Sequence, residues 1–225
     1  VSITPSQAID VRVGTIEGSP NELGIEIEEQ PPAADAPMAG VGDTLVVAQG
    51  PPGPSPTVAP VRTENNLIVI DPGHGGSDPG SLNPDYGLTE SHLTLAISER
   101  LEKDLQHQGW RVVMTRDGDY DVGDPNGSDA QELQARCDVA NAAGARIFVS
   151  VHINASVSSA PSGTTTYYWH PQDRGLAQDV QDDIASDIGI TDDGVIRDNF
   201  YVIHHTTMPS ILVEAAYLSN PHDAT

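Results

Sequence analysis

The sequence predicts an α/β fold: a twisted, mostly parallel sheet flanked by helices, preceded by a small β-rich N-terminal segment. Three observations predict it. From Leu67 onward, short apolar runs alternate with amphipathic segments of helical length, the pattern of βαβ units. Before Pro31, two stretches alternate apolar and polar residues with a period of two. Between these regions, Pro31 to Pro60 holds eight of the chain's 18 prolines.

In the N-terminal part, "AIDVRVGTI" and "LGIEIEE" flank the turn-like "EGSPNE" and read as half-buried strands. "DTLVVAQ" reads as a third strand. Proline fixes φ and removes a backbone donor, so the segment ending in "GPPGPSPTVAP" reads as a stiff linker. The expected division is residues 1–62 as a small β-rich module with a Pro-rich linker, and 63–225 as the domain carrying the chemistry. Nothing in residues 1–62 suggests catalysis.

In the second region "LIVID" is a strand, and "TESHLTLAISERLEKDLQHQG" is a helix opened by Thr89 and closed by Gly109. Leu93, Ile97, Leu101 and Leu105 predict its buried stripe. "WRVVMTR" is a strand, "DAQELQARCDVANAAG" a helix ending at Gly144, and "RIFVSVHI" a strand. "GTTTYYW" (strand), "DRGLAQDVQDDIASDIG" (helix) and "PSILVEA" (strand) complete the order.

Ten basic residues against 33 acidic ones give a net charge of -23 over 225 residues. Nucleic acid and anionic lipid both need positive charge, so neither is an expected partner. An acidic, solvated surface serves solubility, and a sharper expectation is a high-salt setting that screens self-repulsion. No apolar run approaches the roughly 20 residues of a membrane helix, and "VSITPSQAID" has neither the basic start nor the apolar stretch of a signal peptide. Cys137 shares a helix face with Leu133 and Ala140 and reads as a buried structural thiol.

In open α/β sheets, sites gather beyond the carboxyl ends of the strands. His74 follows the first strand of the second region, His152 ends "IFVSVH", Glu214 ends "ILVE", and Glu90 opens the helix after the His74 turn. Two histidines and a glutamate form a known catalytic zinc set with a fourth position open, and a further carboxylate would be free as a base. Each residue also has an ordinary reading. His74 fits a turn, Glu90 complements a helix dipole, and His152 fits a satisfied core histidine. Glu214 is harder to dismiss, because a carboxylate directly after "ILV" must be paired, protonated or bound.

"IVIDPGHGG", "GLTESHLTLAISERL", "RVVMTR", "SVHINA", "GTTTYY" and "NFYVIHHTTMPSILVEAAYLSNPHD" together resemble, in that order, the zinc-dependent N-acetylmuramoyl-L-alanine amidases of the Amidase_3 type. The resemblance runs from about Asn66 to Thr225. It implies one catalytic Zn2+ on His74, Glu90 and His152, with Glu214 as the catalytic carboxylate. It further implies peptidoglycan as substrate, cut between N-acetylmuramic acid and L-alanine. The setting implied is outside the cytoplasm: periplasmic, cell-wall associated or secreted. A monomer is expected.

Asn154 is a candidate contact to substrate or to a metal ligand, with capping of the loop as its alternative. Arg136 and Asn141 stand where the family also has Arg and Asn, and structural roles are expected. His204 and His205 replace a loop that more often contains Arg, and a plain loop role is expected. His92, His107, His170 and His222 read as surface residues. Some family members carry a blocking helix after the second histidine. The short stretch between His152 and "LAQDVQDDI" predicts an open site instead. The family normally continues beyond "LSNPHDAT" into a terminal helix. Two alternatives are weighed: a catalytically idle peptidoglycan-binding module, against which the retention of all four site residues argues, and a zinc peptidase acting within the stem peptide, which the same residues would serve.

Overall fold

The computed structural model describes residues 65–225 and two N-terminal strands, Ile9–Thr15 (β1) and Leu23–Glu29 (β2). β1 and β2 form an antiparallel pair running from Ile9↔Glu29 to Thr15↔Leu23, the two strands expected from period-two alternation. The expected third strand "DTLVVAQ" and the Pro-rich linker lie outside the described residues.

The main sheet contains six strands: Leu67–Pro72 (β3), Arg111–Met114 (β6), Ile147–Asn154 (β7), Thr164–Tyr168 (β8), Asp192–Arg197 (β9) and Ser210–Tyr217 (β10). Its spatial order is β6-β3-β7-β10-β8-β9. β6, β3, β7 and β10 are mutually parallel, whereas β8 runs antiparallel to β10 and parallel to β9. The expected mostly parallel sheet is therefore present. A small hairpin, Leu82–Asn83 (β4) with Leu88–Thr89 (β5), sits between β3 and the first helix.

Alternate residues of the buried strands face opposite helical layers, because strand side chains repeat with a period of two. Ile68, Ile70, Val149, Val151, Ile211 and Val213 pack on one face with Leu105 of Glu90–His107 (α1) and with Leu176 and Val180 of Arg174–Ile188 (α3). Leu67, Val69, Phe148 and Leu212 face the other way. They meet Cys137 and Ala140 of Asp129–Ala143 (α2) and Val202 and Ile203 of Tyr201–His205 (α4). Cys137 is fully buried, and burial pushes its thiol up to about 12, so it is the inert core thiol expected.

Three details differ from the pattern reading. Of the expected stripe, α1 fully buries only Leu105: Ile97 is 37% exposed, and the other buried positions are Glu90, Ser91, Thr94, Ser98 and Asp104. The N-terminal part of the inward face serves the turn after β3, where Thr94 Oγ1 donates to Gly73 O at 2.8 Å. Thr89 occupies the N-cap position, but its side chain makes no capping bond. The first α1 amides are met by backbone instead, Glu90 N donating to Ser81 O and Ser91 N to Pro79 O. His204 and His205 lie on α4 rather than in a plain loop.

Candidate metal centre and its carboxylate

β3, β7 and β10 end side by side, with Asp71 opposite Ser150 and Glu214 opposite His152 in register. The three strands thus deliver His74, His152 and Glu214 to one edge, and the first residue of α1 adds Glu90. The carboxyl edge is where the sequence reading expects these segments to meet.

Glu90 is the hub. It is 3% exposed, and its Oε1 lies 3.0 Å from His74 Nε2 and 3.1 Å from His152 Nδ1. Its Oε2 accepts from Ser81 N at 2.9 Å, and Oε1 also accepts from Ile153 N at 3.2 Å. Burial favours the neutral carboxyl, but the hydrogen bonds from His152 and His74 outweigh it and hold Glu90 well below the ordinary carboxylate range. The His74 and His152 rings meet edge-on with centroids 4.8 Å apart. One donor atom from each of His74, Glu90 and His152 lies within 4.8 Å of the others, a cluster compatible with a metal ion.

Among the described residues, His74 is the one non-glycine residue at positive φ, 62°. That region costs a side-chain-bearing residue on the order of 1–3 kcal/mol and persists where surrounding structure enforces it. His74 Nδ1 is 2.7 Å from Asp78 Oδ2, which leaves Nε2 facing Glu90. Burial alone would lower the His74 pKa, but its bonds to Glu90 and Asp78 raise it. Orientation of a ligating imidazole by a carboxylate on its other nitrogen is a recurrent feature of metal sites. Sequence reasoning missed Asp78; its signal was a carboxylate four residues beyond His74 in the same turn.

The glycines of this turn make room for protein rather than for substrate. A Cβ on Gly73 would lie 2.3 Å from His152 Cε1, so the imidazole rests directly on the Gly73 backbone. At Gly75 a Cβ would come within 2.8 Å of Arg116 Nε. These close approaches leave no room for a side chain, and Gly75 and Gly76 also sit at positive φ, as a tight turn requires.

Glu214 stands apart from the hub. Its Oε2 is buried and has no hydrogen-bond partner. Burial pushes the carboxyl up to about 7; His152 and His74 oppose that rise and Glu90 adds to it. Both Glu214 and His74 line a cavity of about 270 Å³ that extends past Asp121 and Asp129 to Phe200 and Tyr201. A buried carboxylate without a partner beside such a cavity is a group available for proton transfer.

The remaining candidates fall into place around this geometry. Asn154 Oδ1 accepts from Ala155 N at 2.8 Å, the loop-capping role, and Asn154 is not among the residues lining the cavity. Asn141 ties α2 to the segment after α4, donating to His205 O and accepting from Thr207 N. His204 packs on Trp169 at 4.7 Å and His205 stacks on Tyr201 at 3.9 Å. His92, His107 and His222 are exposed, as read, but His170 is half-buried near His204. Residues 155–163, between β7 and β8, contain no helix, so no blocking helix follows His152.

The Amidase_3 model, described as N-acetylmuramoyl-L-alanine amidase, matches residues 68–225. Bacillus subtilis (strain 168) N-acetylmuramoyl-L-alanine amidase LytC is 37% identical over 162 residues, which are 70% of this chain but 30% of LytC. The germination-specific N-acetylmuramoyl-L-alanine amidase of the same strain is 33% identical over 168 residues, 71% of this chain and 70% of that protein. Among solved structures, the catalytic domain of CwlV, an N-acetylmuramoyl-L-alanine amidase from Bacillus (Paenibacillus) polymyxa var. colistinus, superposes with a TM-score of 0.63. It is 36% identical, and the match covers 70% of this chain and 84% of that domain. Sequence, fold and the arrangement of the strand ends agree: the chain belongs to the Amidase_3 family of N-acetylmuramoyl-L-alanine amidases.

Proposed function

We propose that this chain is a zinc-dependent peptidoglycan hydrolase that cuts the amide between N-acetylmuramic acid and L-alanine. The observation that carries the reading is the buried, unpartnered Glu214 carboxylate beside the His74–Glu90–His152 cluster, in a chain of this family. The donor set fits zinc: two imidazole nitrogens and one carboxylate oxygen make a three-ligand site with a position to spare. Bound there, zinc would supply Lewis acidity to a poorly electrophilic amide carbonyl and acidify water.

The protein's own groups do the rest. Glu214, whose carboxyl burial pushes up to about 7, would in its ionised form take a proton from the attacking water and return it to the leaving amine of L-alanine. Asp78 keeps the His74 ring turned with Nε2 toward the cluster. Glu90, ionised and doubly bonded to the histidines, supplies the negative charge that a dication needs. The substrate sits outside the cytoplasm, and no described helix is long and apolar enough to cross a membrane. We take residues 63–225 as the catalytic unit, a monomer, with 1–62 as a separate β-rich module and linker.

Incubating the protein with purified peptidoglycan, with and without a chelator, and identifying released products by mass tests this. Free stem peptides beginning with L-alanine are expected, lost with chelator and in Glu214→Gln. Fragments cut inside the stem would make the chain a peptidase. Binding without products would make it an idle wall-binding module.

A further inference from the structure

The turn that carries His74 leaves the sheet at Pro72, so its carbonyls need partners that no neighbouring strand provides. Two buried arginines supply them. Pro72 O accepts from Arg136 Nη1 at 2.8 Å and from Arg116 Nε at 3.0 Å. Gly73 O accepts from Arg116 Nη2 at 2.9 Å, and His74 O from Arg136 Nη2 at 2.7 Å. Three successive carbonyls leading into the strained His74 are thus each held by a guanidinium.

The two arginines differ in what else they hold. Arg136, 3% exposed, is anchored by Asp71 Oδ1 at 3.0 Å and Glu132 Oε1 at 2.8 Å. Arg116, fully buried, spends its remaining donors on Gly118 O, Thr94 Oγ1 and Ser91 O, the last at 2.8 Å. Ser91 is the neighbour of Glu90, so one guanidinium plane joins the His74 turn to the start of the Glu90 helix. The amide side of the turn is closed in the same region, Gly76 N donating to Asp119 Oδ1 and Ser77 N to Asp121.

From this we infer that Arg116 and Arg136 are positioning residues: a two-arginine brace that holds His74 at positive φ and sets its separation from Glu90. A lone ammonium cannot reproduce a planar fork that meets two or three carbonyls at once, so Arg116→Lys and Arg136→Lys test the brace with charge retained. The metal readout rests on the zinc reading above; a second readout does not. Zinc affinity of each variant, by competition with a chromophoric chelator, falls about 10- to 100-fold, the size typical for loss of support around a ligand. In the metal-free protein, hydrogen exchange at Gly75, Gly76 and Ser77 quickens at least tenfold while the β3 amides keep their protection.

Gln181→Met is the control. That side chain is fully buried at α3 and bonds Thr164, Thr166 and Asp192, none of them in the three segments that carry His74, Glu90 and His152. It lowers thermal stability without changing zinc affinity or exchange in the turn. Should an arginine variant fail to fold, Thr94→Val removes the hydroxyl that donates to Gly73 O and accepts from Arg116 Nη2, and carries the same two expectations at smaller size. Lysine variants with wild-type zinc affinity and wild-type exchange at 75–77 overturn the brace. If the unaltered protein binds no zinc, the zinc reading fails, and the exchange measurement still decides the brace.

Discussion

The ends of β3 and β10 lie on the same edge of one sheet and are built in opposite ways. After β3, the carbonyls and amides of the turn are met by Arg116, Arg136, Asp119 and Asp121, and the His74 ring is bonded on both nitrogens. At β10, Glu214 is left with a buried oxygen that bonds to nothing. The difference suits the two jobs proposed for these ends. A metal ligand must be held still, which calls for a saturated hydrogen-bond network, whereas a proton-transfer group must stay free to bond substrate or water.

The largest expected effect comes from the unsaturated end. Glu214→Gln keeps the shape and removes the base, so turnover on peptidoglycan falls about 10³-fold while the melting temperature holds or rises. A large loss of melting temperature would mean that Glu214 is structural and the contrast false. At the saturated end, Asp71→Asn leaves the buried Arg136 guanidinium without its most deeply buried partner. Breaking a buried pair costs about 3 kcal/mol or more, read as a lowered urea midpoint. An unchanged midpoint would show that Glu132 alone anchors Arg136.

Zinc loading comes next. A ligand that binds only the folded chain adds about 2.7 kcal/mol at a concentration 100 times its Kd. Melting temperature should therefore rise with zinc and return to the metal-free value with chelator, and His74→Ala should abolish the rise.

Asp173 sharpens the comparison by showing that an unpartnered buried oxygen does not by itself make a site. It is 1% exposed, its Oδ1 has no partner, and it stands at the start of α3, with no part in the cavity beside His74. Burial pushes its carboxyl up to about 6, against a weak bond from Ser210 N. The folded state therefore keeps this proton where the unfolded chain has released it. The contribution of Asp173 to stability is full below about pH 4 and is lost as pH rises through about 6. Asp173→Asn should remove that loss and gain on the order of 2 kcal/mol over the unaltered protein at pH 7, checked by urea melts at pH 4 and 7. The smallest effect is general: at a net charge of -23, added salt should raise the urea midpoint slightly by screening repulsion.

Much of this was legible in the sequence, and the parts that were not share a cause. β3, β7 and β10 announce themselves as apolar runs because both faces are covered by helices. The strand-end rule then picks His74, His152 and Glu214 without coordinates. What escaped is whatever acts over long separations through backbone atoms. Arg116 and Arg136 bond carbonyls more than 40 residues away, and a carbonyl leaves no trace in the residue alphabet. The inward face of α1 hides for the same reason, since Ser91 and Thr94 look like a solvent face until their ties to the turn and to Arg116 are known. β9 and α4 were missed because "DDGVIR" is a mostly exposed edge strand and "YVIHH" a single turn.

The central claim, a metal held by the saturated end and faced by a free carboxylate, is tested most directly by crystals grown with zinc and measured at the zinc absorption edge. One strong anomalous peak bonded to His74, Glu90 and His152 is expected, with Glu214 close by but not ligating. A peak instead among Asp78, Asp121 and Asp129, or none at the three predicted ligands, would contradict it.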